Sequence, residues 1–365
     1  MKMIDEYYKN FKVRDYMNEE SSKSCLSTNI IDCSLGTNPF IEESMIKQYI
    51  SEASSQINKY PSLEYELLKE ELLKFWKKYL YNGINKNNIA FGAGTMGILR
   101  NICEFLIQEG TKVLGIAPQF PRFISEVELK KGIYEYYSLE NKNNYKFIVT
   151  DFLNKIDSTY SLISIENPNN PTGQIIDVND IEKIVRKAKQ YNTMVIVDEA
   201  YGDYMPLDNS AIKLVGKYDN IMVLRSASKF YGLPNHRVGY MFADKELIKI
   251  YNQIAIPFPF SDLSASVFIK VLKDYDKLQF TKQKTMEVNQ KIYNAIKKEN
   301  YLCTNIETPI FTIKTDKYDN LTKQLMEEGI IAENCSYFIN LDNTYARIRI
   351  TKDYEQLIKI LSKIL

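Results

Sequence analysis

Histidine is almost missing: His236 is the only one in 365 residues. That excludes a multi-histidine metal centre and leaves any serine triad dependent on a single ring. The five cysteines, Cys25, Cys33, Cys103, Cys303 and Cys335, are odd in number, scattered and never spaced as CxxC. A disulfide framework and a zinc site are both excluded on that pattern, and each cysteine reads as a small apolar filler. No metal is expected. Long apolar runs are also lacking, and the opening MKMIDEYYKNFKVRD has no apolar core of the kind that directs secretion. The expectation is a cytoplasmic protein without a membrane partner. Nor is there a charge excess, since 47 Lys plus Arg face 46 Asp plus Glu. No global field draws nucleic acid, so any anion site must be local. Internal repeats, low-complexity linkers and a helix-turn-helix extension are absent too.

What the chain does have is 45% hydrophobic residues, enough for two domains that share a core. Its first 40 residues are polar and end in IIDCSLGTNPF, where Gly36, Asn38 and Pro39 make a loop, so residues 1–40 read as an N-terminal arm. Helical spacing follows over 41–57 and 64–80, broken at Tyr60-Pro61-Ser62. A short strand at 88–91 then runs into GAGTMG, Gly92 to Gly97, and an amphipathic helix. Backbone N–H groups and the positive dipole end at such a junction bind phosphate without a basic side chain. The spacing matches neither the dinucleotide nor the P-loop pattern.

The runs KVLGI, IYEYYSL, YSLISIE, TMVIVDEAY and IMVL read as strands alternating with helices such as VNDIEKIVRKAKQYN. Alternation of this kind implies an α/β fold with a largely parallel sheet. Polar residues cluster where the apolar runs stop: Phe120 between two prolines, NPNNPTG with Asn170, Asp198 and Tyr201 in VDEAY, and Lys229 in the loop after IMVL. Ligands of open parallel sheets bind outside the carboxyl ends of strands, which gathers these residues at one edge. Taken alone, Asp198 also suits a helix N-cap and Phe120 a core position.

A lysine amine attacks carbonyls only when unprotonated, so it needs nearby positive charge or desolvation. Arg237 supplies a charge eight positions after Lys229. With Ser226 and Ser228 it also offers hydroxyls and a guanidinium fork for a phosphate. An amine beside a phosphate clamp suggests pyridoxal phosphate.

Beyond Ala243 the pattern changes to long helices at 245–254 and 263–300, strands at 310–314, 329–332 and 345–350, and helices at 318–328 and 354–364. Residues 41–255 and 256–365 therefore read as a large and a smaller α+β domain. In RIRI, Arg347 and Arg349 share one strand face with the isoleucines opposite, and the plain reading of Arg347 is a solvated face.

Together NPNNPTG, VDEAY, SASKFYGLPNHRVGY and Lys59-Tyr60-Pro61 resemble the fold-type-I pyridoxal-phosphate enzymes of the class I/II aminotransferase superfamily. They look most like its histidinol-phosphate aminotransferase and threonine-phosphate decarboxylase branch. The resemblance covers most of the chain and implies an aspartate-aminotransferase-like large domain with a mostly parallel seven-stranded sheet. It implies pyridoxal 5′-phosphate held covalently by Lys229, with Asp198 on the ring nitrogen, Asn170 and Tyr201 on the phenolic oxygen and Phe120 stacked on the ring. The phosphate would be held by Gly94, Thr95 and Met96 at the helix start, by Ser226, Ser228 and Arg237, and by Tyr60 of a second subunit, hence a homodimer. Arg349 and Asn38 are the residues implied for substrate, Arg349 as a bidentate clamp on a carboxylate. The chain departs from the family pattern in Met96-Gly97 where an acidic pair is usual, in His236 before Arg237, and in SLGTNPF where the aminotransferases carry an NEN-type motif. The expected activity is transamination of a small, possibly phosphorylated amino acid or amino alcohol. Decarboxylation of a phosphorylated amino acid is the alternative, and a cofactor-binding module without catalysis is a third.

Overall fold

Runs of aliphatic residues without polar alternation become the interior strands of one sheet, because a strand covered on both faces has no solvent side to keep polar. In the computed structural model, which describes residues 6–14, 30–35, 38–53, 58–79 and 83–365, the strands are β1 (Ile31–Asp32), β2 (Ile89–Ala93), β3 (Lys112–Ala117), β4 (Ile133–Ser138), β5 (Leu162–Glu166), β6 (Met194–Glu199), β7 (Ile221–Ser226), β8 (Val238–Ala243), β9 (Ile310–Lys314), β10 (Ile330–Ile331), β11 (Glu333–Asn334) and β12 (Tyr345–Arg349). The helices are α1 (Glu6–Asn10), α2 (Glu43–Ala53), α3 (Glu66–Trp76), α4 (Gly94–Leu106), α5 (Pro121–Leu129), α6 (Val149–Lys155), α7 (Val178–Lys189), α8 (Lys245–Ile254), α9 (Asp262–Lys273), α10 (Tyr275–Ala295), α11 (Leu321–Glu327) and α12 (Tyr354–Ile364). Residues 54–57 and 80, where two of the expected helices end, lie outside the described residues, as do Gly36 and Cys25.

The large sheet has seven strands in the order β2-β8-β7-β6-β5-β3-β4. Every pairing is parallel except those of β8, which is antiparallel to both neighbours. Strands β5, β7 and β8 are buried at every residue, as their unbroken apolar runs require. Helix α7 shows the complementary pattern. Asp177 caps it by accepting from Asn179 N–H at 2.8 Å, and Ile181, Ile184, Val185 and Ala188 form its buried stripe.

A second sheet of three strands, β11-β12-β9, is antiparallel throughout. Beside it β1 pairs parallel with β10, Ile31 opposite Ile330. This pairing draws Ile31, Cys33 and Phe40 into one apolar cluster with Val288, Phe311 and Leu361. A two-residue strand carries no periodicity, which is why the sequence shows only an arm there. Side chains of α9 and the first turn of α10, including Phe268, Leu272 and Leu278, still belong to the large cluster.

Strand alternation sorts the acidic pair at the end of β6. Asp198 faces the cavity described below, whereas Glu199 is wholly buried and bonded to Arg225 Nη1 at 3.0 Å. Arg225, its partner in register on β7, also reaches Asp203 at 3.1 Å and lies 4.7 Å from the Trp76 ring centre. One guanidinium thus offsets two buried carboxylates directly beneath Asp198.

Candidate active site

The strand order reverses around β3, whose neighbours are β5 and β4, and a crevice opens outside the carboxyl ends of the strands at such a point. The cavity here is lined by Thr95, Met96, Phe120, Glu166, Pro168, Asn170, Asp198, Ala200, Tyr201, Ser226, Ser228, Lys229, Pro234, Arg237, Leu35 and Arg347. All the cofactor residues expected from sequence therefore meet in one place, apart from Gly94 and Tyr60.

The NPNNPTG loop is rigid because its other asparagines are used internally. Asn167 exchanges two bonds with the backbone of Ile176, and Asn169 accepts from Thr172 while donating to Pro118 O at 3.1 Å. Asn170 is left to face the cavity.

Lys229 follows β7 and stands with its Nζ 5.2 Å from the centre of the Tyr201 ring. Burial pushes the Asp198 carboxyl up to about 7 and the neighbouring Glu199 adds to this, against the Ala200 N–H bond at 2.9 Å and the Lys229 charge. A cation placed against Asp198 would relieve that cost. Glu166 lies opposite Asp198 in the strand register. It is fully buried and held well above the usual carboxylate range by burial and by Asp198. Its two oxygens accept from Phe120 N and Asn170 N, each at 3.0 Å, so it ties together the loops that bear those residues. Its only sequence signal is a lone charge ending the apolar run LISIE.

The expected phosphate end is compact. Gly94 has φ +69°, a region open to glycine, and a Cβ there would come within 2.5 Å of Arg237 Nη2. A Cβ on Gly239 would meet the Gly94 carbonyl carbon at 2.4 Å, so both glycines are needed for β8 to pass the start of α4. Gly94 N–H donates to Arg237 O at 2.7 Å. The Arg237 side chain donates to Pro234 O at 3.0 Å and lies 3.5 Å from Ser228 Oγ, and Ser226 Oγ accepts from Ser228 N–H at 3.0 Å. His236 turns away from the cavity, its Nδ1 3.2 Å from Ser264 Oγ, and burial lowers its pKa.

The two residues expected to hold substrate are placed elsewhere. Arg349 does not line the cavity; its guanidinium donates to the carbonyls of Asp32, Leu35 and Ile350 at 2.7, 3.2 and 2.9 Å. Of the two β12 arginines the one that reaches the cavity is Arg347, which is 4% exposed, so it is not on a solvated face. Its Nη1 donates to Asn170 Oδ1 at 2.8 Å and its Nη2 to Ser34 O at 3.0 Å, and it forms a salt bridge with Glu333. Both arginines share a strand face, but β12 meets the Ile31–Leu35 segment at its end and that segment takes up Arg349. Asn38 is also outside the cavity lining. It donates to Phe230 O and Thr281 Oγ1 at 3.0 and 2.8 Å, and its own N–H donates to Lys229 O at 3.1 Å, so it anchors the lysine loop from behind. Tyr60 is 86% exposed, with its ring against that of Phe258.

An amine, a carboxyl whose ionised form is made costly by burial, and a glycine cradle beside an arginine together fit pyridoxal phosphate. Among the described residues no group of three His, Cys, Asp or Glu could hold a metal ion, and no helix is long and apolar enough to cross a membrane.

This fold with this edge of residues defines a pyridoxal-phosphate-dependent enzyme of fold type I. Residues 26–364 match the family "Aminotransferase class I and II", and the chain belongs to that family; it is a pyridoxal-phosphate-dependent aminotransferase. Its sequence is 27% identical over 349 residues to the histidinol-phosphate aminotransferase of Methanocaldococcus jannaschii, covering 92% of this chain and 90% of that one. A histidinol-phosphate aminotransferase of Methanococcus maripaludis is 28% identical over 341 residues, 92% of this chain and 90% of that protein. Among solved structures, the histidinol-phosphate aminotransferase of Sinorhizobium meliloti in complex with pyridoxal-5′-phosphate superposes with TM-score 0.84 at 20% identity, covering 100% of this chain and 98% of that one. The L-threonine-O-3-phosphate decarboxylase of Porphyromonas gingivalis has the same fold, with TM-score 0.74 at 18% identity over 92% of this chain and 99% of that one.

Proposed function

We propose that this aminotransferase acts on a small amino acid or amino alcohol with an anionic end, and that Arg347 receives that end. The observation that carries the reading is Arg347 in the cavity wall, hydrogen-bonded to Asn170 at 2.8 Å. Bound pyridoxal phosphate supplies an aldehyde carbon that bonds to amines and a ring that withdraws electrons from the substrate's α-carbon. The residues around it divide the remaining work. Lys229 holds the cofactor and then takes the proton from the substrate's α-carbon. Asp198 keeps the ring nitrogen protonated. Asn170 and Tyr201 hydrogen-bond the phenolic oxygen, and Phe120 covers the ring. The start of α4, with Gly94, Thr95 and Met96, would hold the phosphate together with Ser226, Ser228 and Arg237.

The named substrate of the archaeal relatives, histidinol phosphate, supports a phosphorylated amino compound as substrate. The test is product analysis with a panel of amino acids and phosphorylated amines. A keto product without carbon dioxide supports transamination; carbon dioxide release would move the protein to the decarboxylase alternative. A paired substitution then checks the anion site. Arg347→Lys, which cannot form a planar fork, should raise KM for a carboxylate substrate about 10- to 100-fold. Arg349→Lys should leave KM unchanged, and the reverse order would return the role to Arg349.

The reading extends to a cytoplasmic homodimer. The four described cysteines are all free thiols. Leu63, Leu67 and Ile256 are exposed like Tyr60, leaving apolar surface around the Tyr60–Phe258 contact. Light scattering should give twice the chain mass. Tyr60→Ala should weaken cofactor binding, because Tyr60 reaches the phosphate of the neighbouring subunit. A fully active monomer would remove the shared site.

A further inference from the structure

Behind the cavity wall stands a buried acid, Glu333, that the proposed chemistry does not use. Glu333 on β11 lies opposite Arg347 on β12 in the strand register. Its side chain is 3% exposed and forms a salt bridge with Arg347. Glu333 is not itself in the cavity lining, so it backs the guanidinium from behind while Arg347 faces inward. Burial raises the Glu333 pKa, whereas the Arg347 and Lys229 charges favour its ionised form. On the other side Glu166 reaches the same guanidinium electrostatically, and Asn170 joins the two, accepting from Arg347 and donating its backbone N–H to Glu166.

The charge balance follows from these contacts. Arg237 lies at the cofactor's phosphate, Asp198 faces the ring nitrogen and Lys229 holds the aldehyde carbon. For the substrate's anionic end that leaves Arg347, and Arg347 already has a carboxylate against it. A single carboxylate brings one negative charge to its cavity side, the least that an anionic substrate can bring. A phosphate dianion there would bring a second negative charge against Glu333 in a buried setting, where like charges are costly.

We propose that Glu333 sets the charge of the group Arg347 accepts, selecting a substrate that presents one carboxylate, an α-amino acid, over an amino-alcohol phosphate that presents a dianion at the same point. This rests on the reading of Arg347 as the receptor for the substrate's anionic end. Glu333 is a positioning residue that acts through Arg347, and a phosphate elsewhere on the substrate remains compatible with it.

The test uses holoenzyme saturated with pyridoxal phosphate, at a pH where inorganic phosphate is dianionic. Calorimetry with acetate and with inorganic phosphate gives the ratio of their affinities, for wild type and for Glu333→Gln. Wild type should bind acetate more tightly. Glu333→Gln should raise phosphate affinity about tenfold or more and acetate affinity by less, since one like charge has been removed. A loss of packing alone would not change that ratio selectively. Turnover gives a second arm: L-histidine and L-histidinol phosphate share a side chain and differ in carboxylate against phosphate ester, and the kcat/KM ratio should shift toward the phosphate in Glu333→Gln. Tighter phosphate binding by wild type, or an affinity ratio unchanged in the variant, overturns the proposal. If the variant does not fold, the wild-type ratio decides alone. Binding of neither anion would instead sink the reading of Arg347, which the Arg347→Lys measurement detects separately.

Discussion

Lys229→Ala should retain its fold and bind pyridoxal phosphate only without a covalent bond, while turnover falls by at least the roughly 10²- to 10⁴-fold that a positioned acid–base group contributes. The expectation follows from geometry. Lys229 extends from the end of β7 into the cavity, and its amine stands over the Tyr201 ring, 5.2 Å from its centre. The fold should survive because the lysine loop is held by backbone bonds rather than by the amine: Asn38 N–H and Gly232 N–H both donate to Lys229 O, and Leu233 N–H donates to Ala227 O. Borohydride reduction followed by peptide mapping is the direct check. Label on any other lysine would mean that the site has been misread.

Asp198→Asn should lose turnover by about 10²- to 10⁴-fold, the cost of leaving one member of a buried charge pair without its partner. A second signature appears without any chemistry. Burial holds the Asp198 carboxyl near 7, against about 3.9 in an unfolded chain. The folded state therefore keeps a proton that the unfolded state releases. Below about 4 both are protonated and there is no difference, whereas above about 7 both are ionised and the folded state bears the full burden. Stability of the cofactor-free protein should thus fall as pH rises through this window, by on the order of 4 kcal/mol from this group. Asp198→Asn should flatten the slope, and so should bound cofactor if its ring nitrogen pairs with this carboxylate as proposed. Melting temperatures of cofactor-free and loaded protein between pH 4 and 8 provide the measurement. Parallel curves for wild type and variant would show that Asp198 is not the group responsible.

The large sheet was legible because buried parallel strands cannot alternate. KVLGI, LISIE, MVIVDE and IMVLRS each carry a continuous apolar signal, and the polar residues that end them mark one edge of the sheet. Arg347 and Arg349 show where that legibility stops. A period of two puts both on one face, and the family resemblance pointed to Arg349; in the structure the Ile31–Leu35 segment, distant in sequence, occupies Arg349 with its carbonyls. Asn38 was implied for substrate by the resemblance alone, yet its amide donates to Phe230 and Thr281. Glu166 and Glu333 gave little signal, since a charge at the end of a strand usually points to water. Only the pairing of strands brings Glu166 beside Asp198 and Glu333 against Arg347.

The pairing of β1 with β10 also bears on the order in which the molecule can be assembled. Ile31 leaves the ribosome early, but its partner Ile330 is made about three hundred residues later, and domains generally fold as units while the chain grows. The seven-stranded sheet is complete in sequence at Ala243, and α9, which packs on α2 and α3, follows by Lys273. The apolar face of Ile31, Cys33 and Phe40 has no such early partner, because the rest of its cluster starts at Val288. Until Val288 is made, Ile31, Cys33 and Phe40 lack the rest of their cluster, although the large sheet is already complete in sequence. Closing it is a long-range contact of the slow kind. The Ile31–Ile330 pairing is thus among the last contacts the growing chain can make.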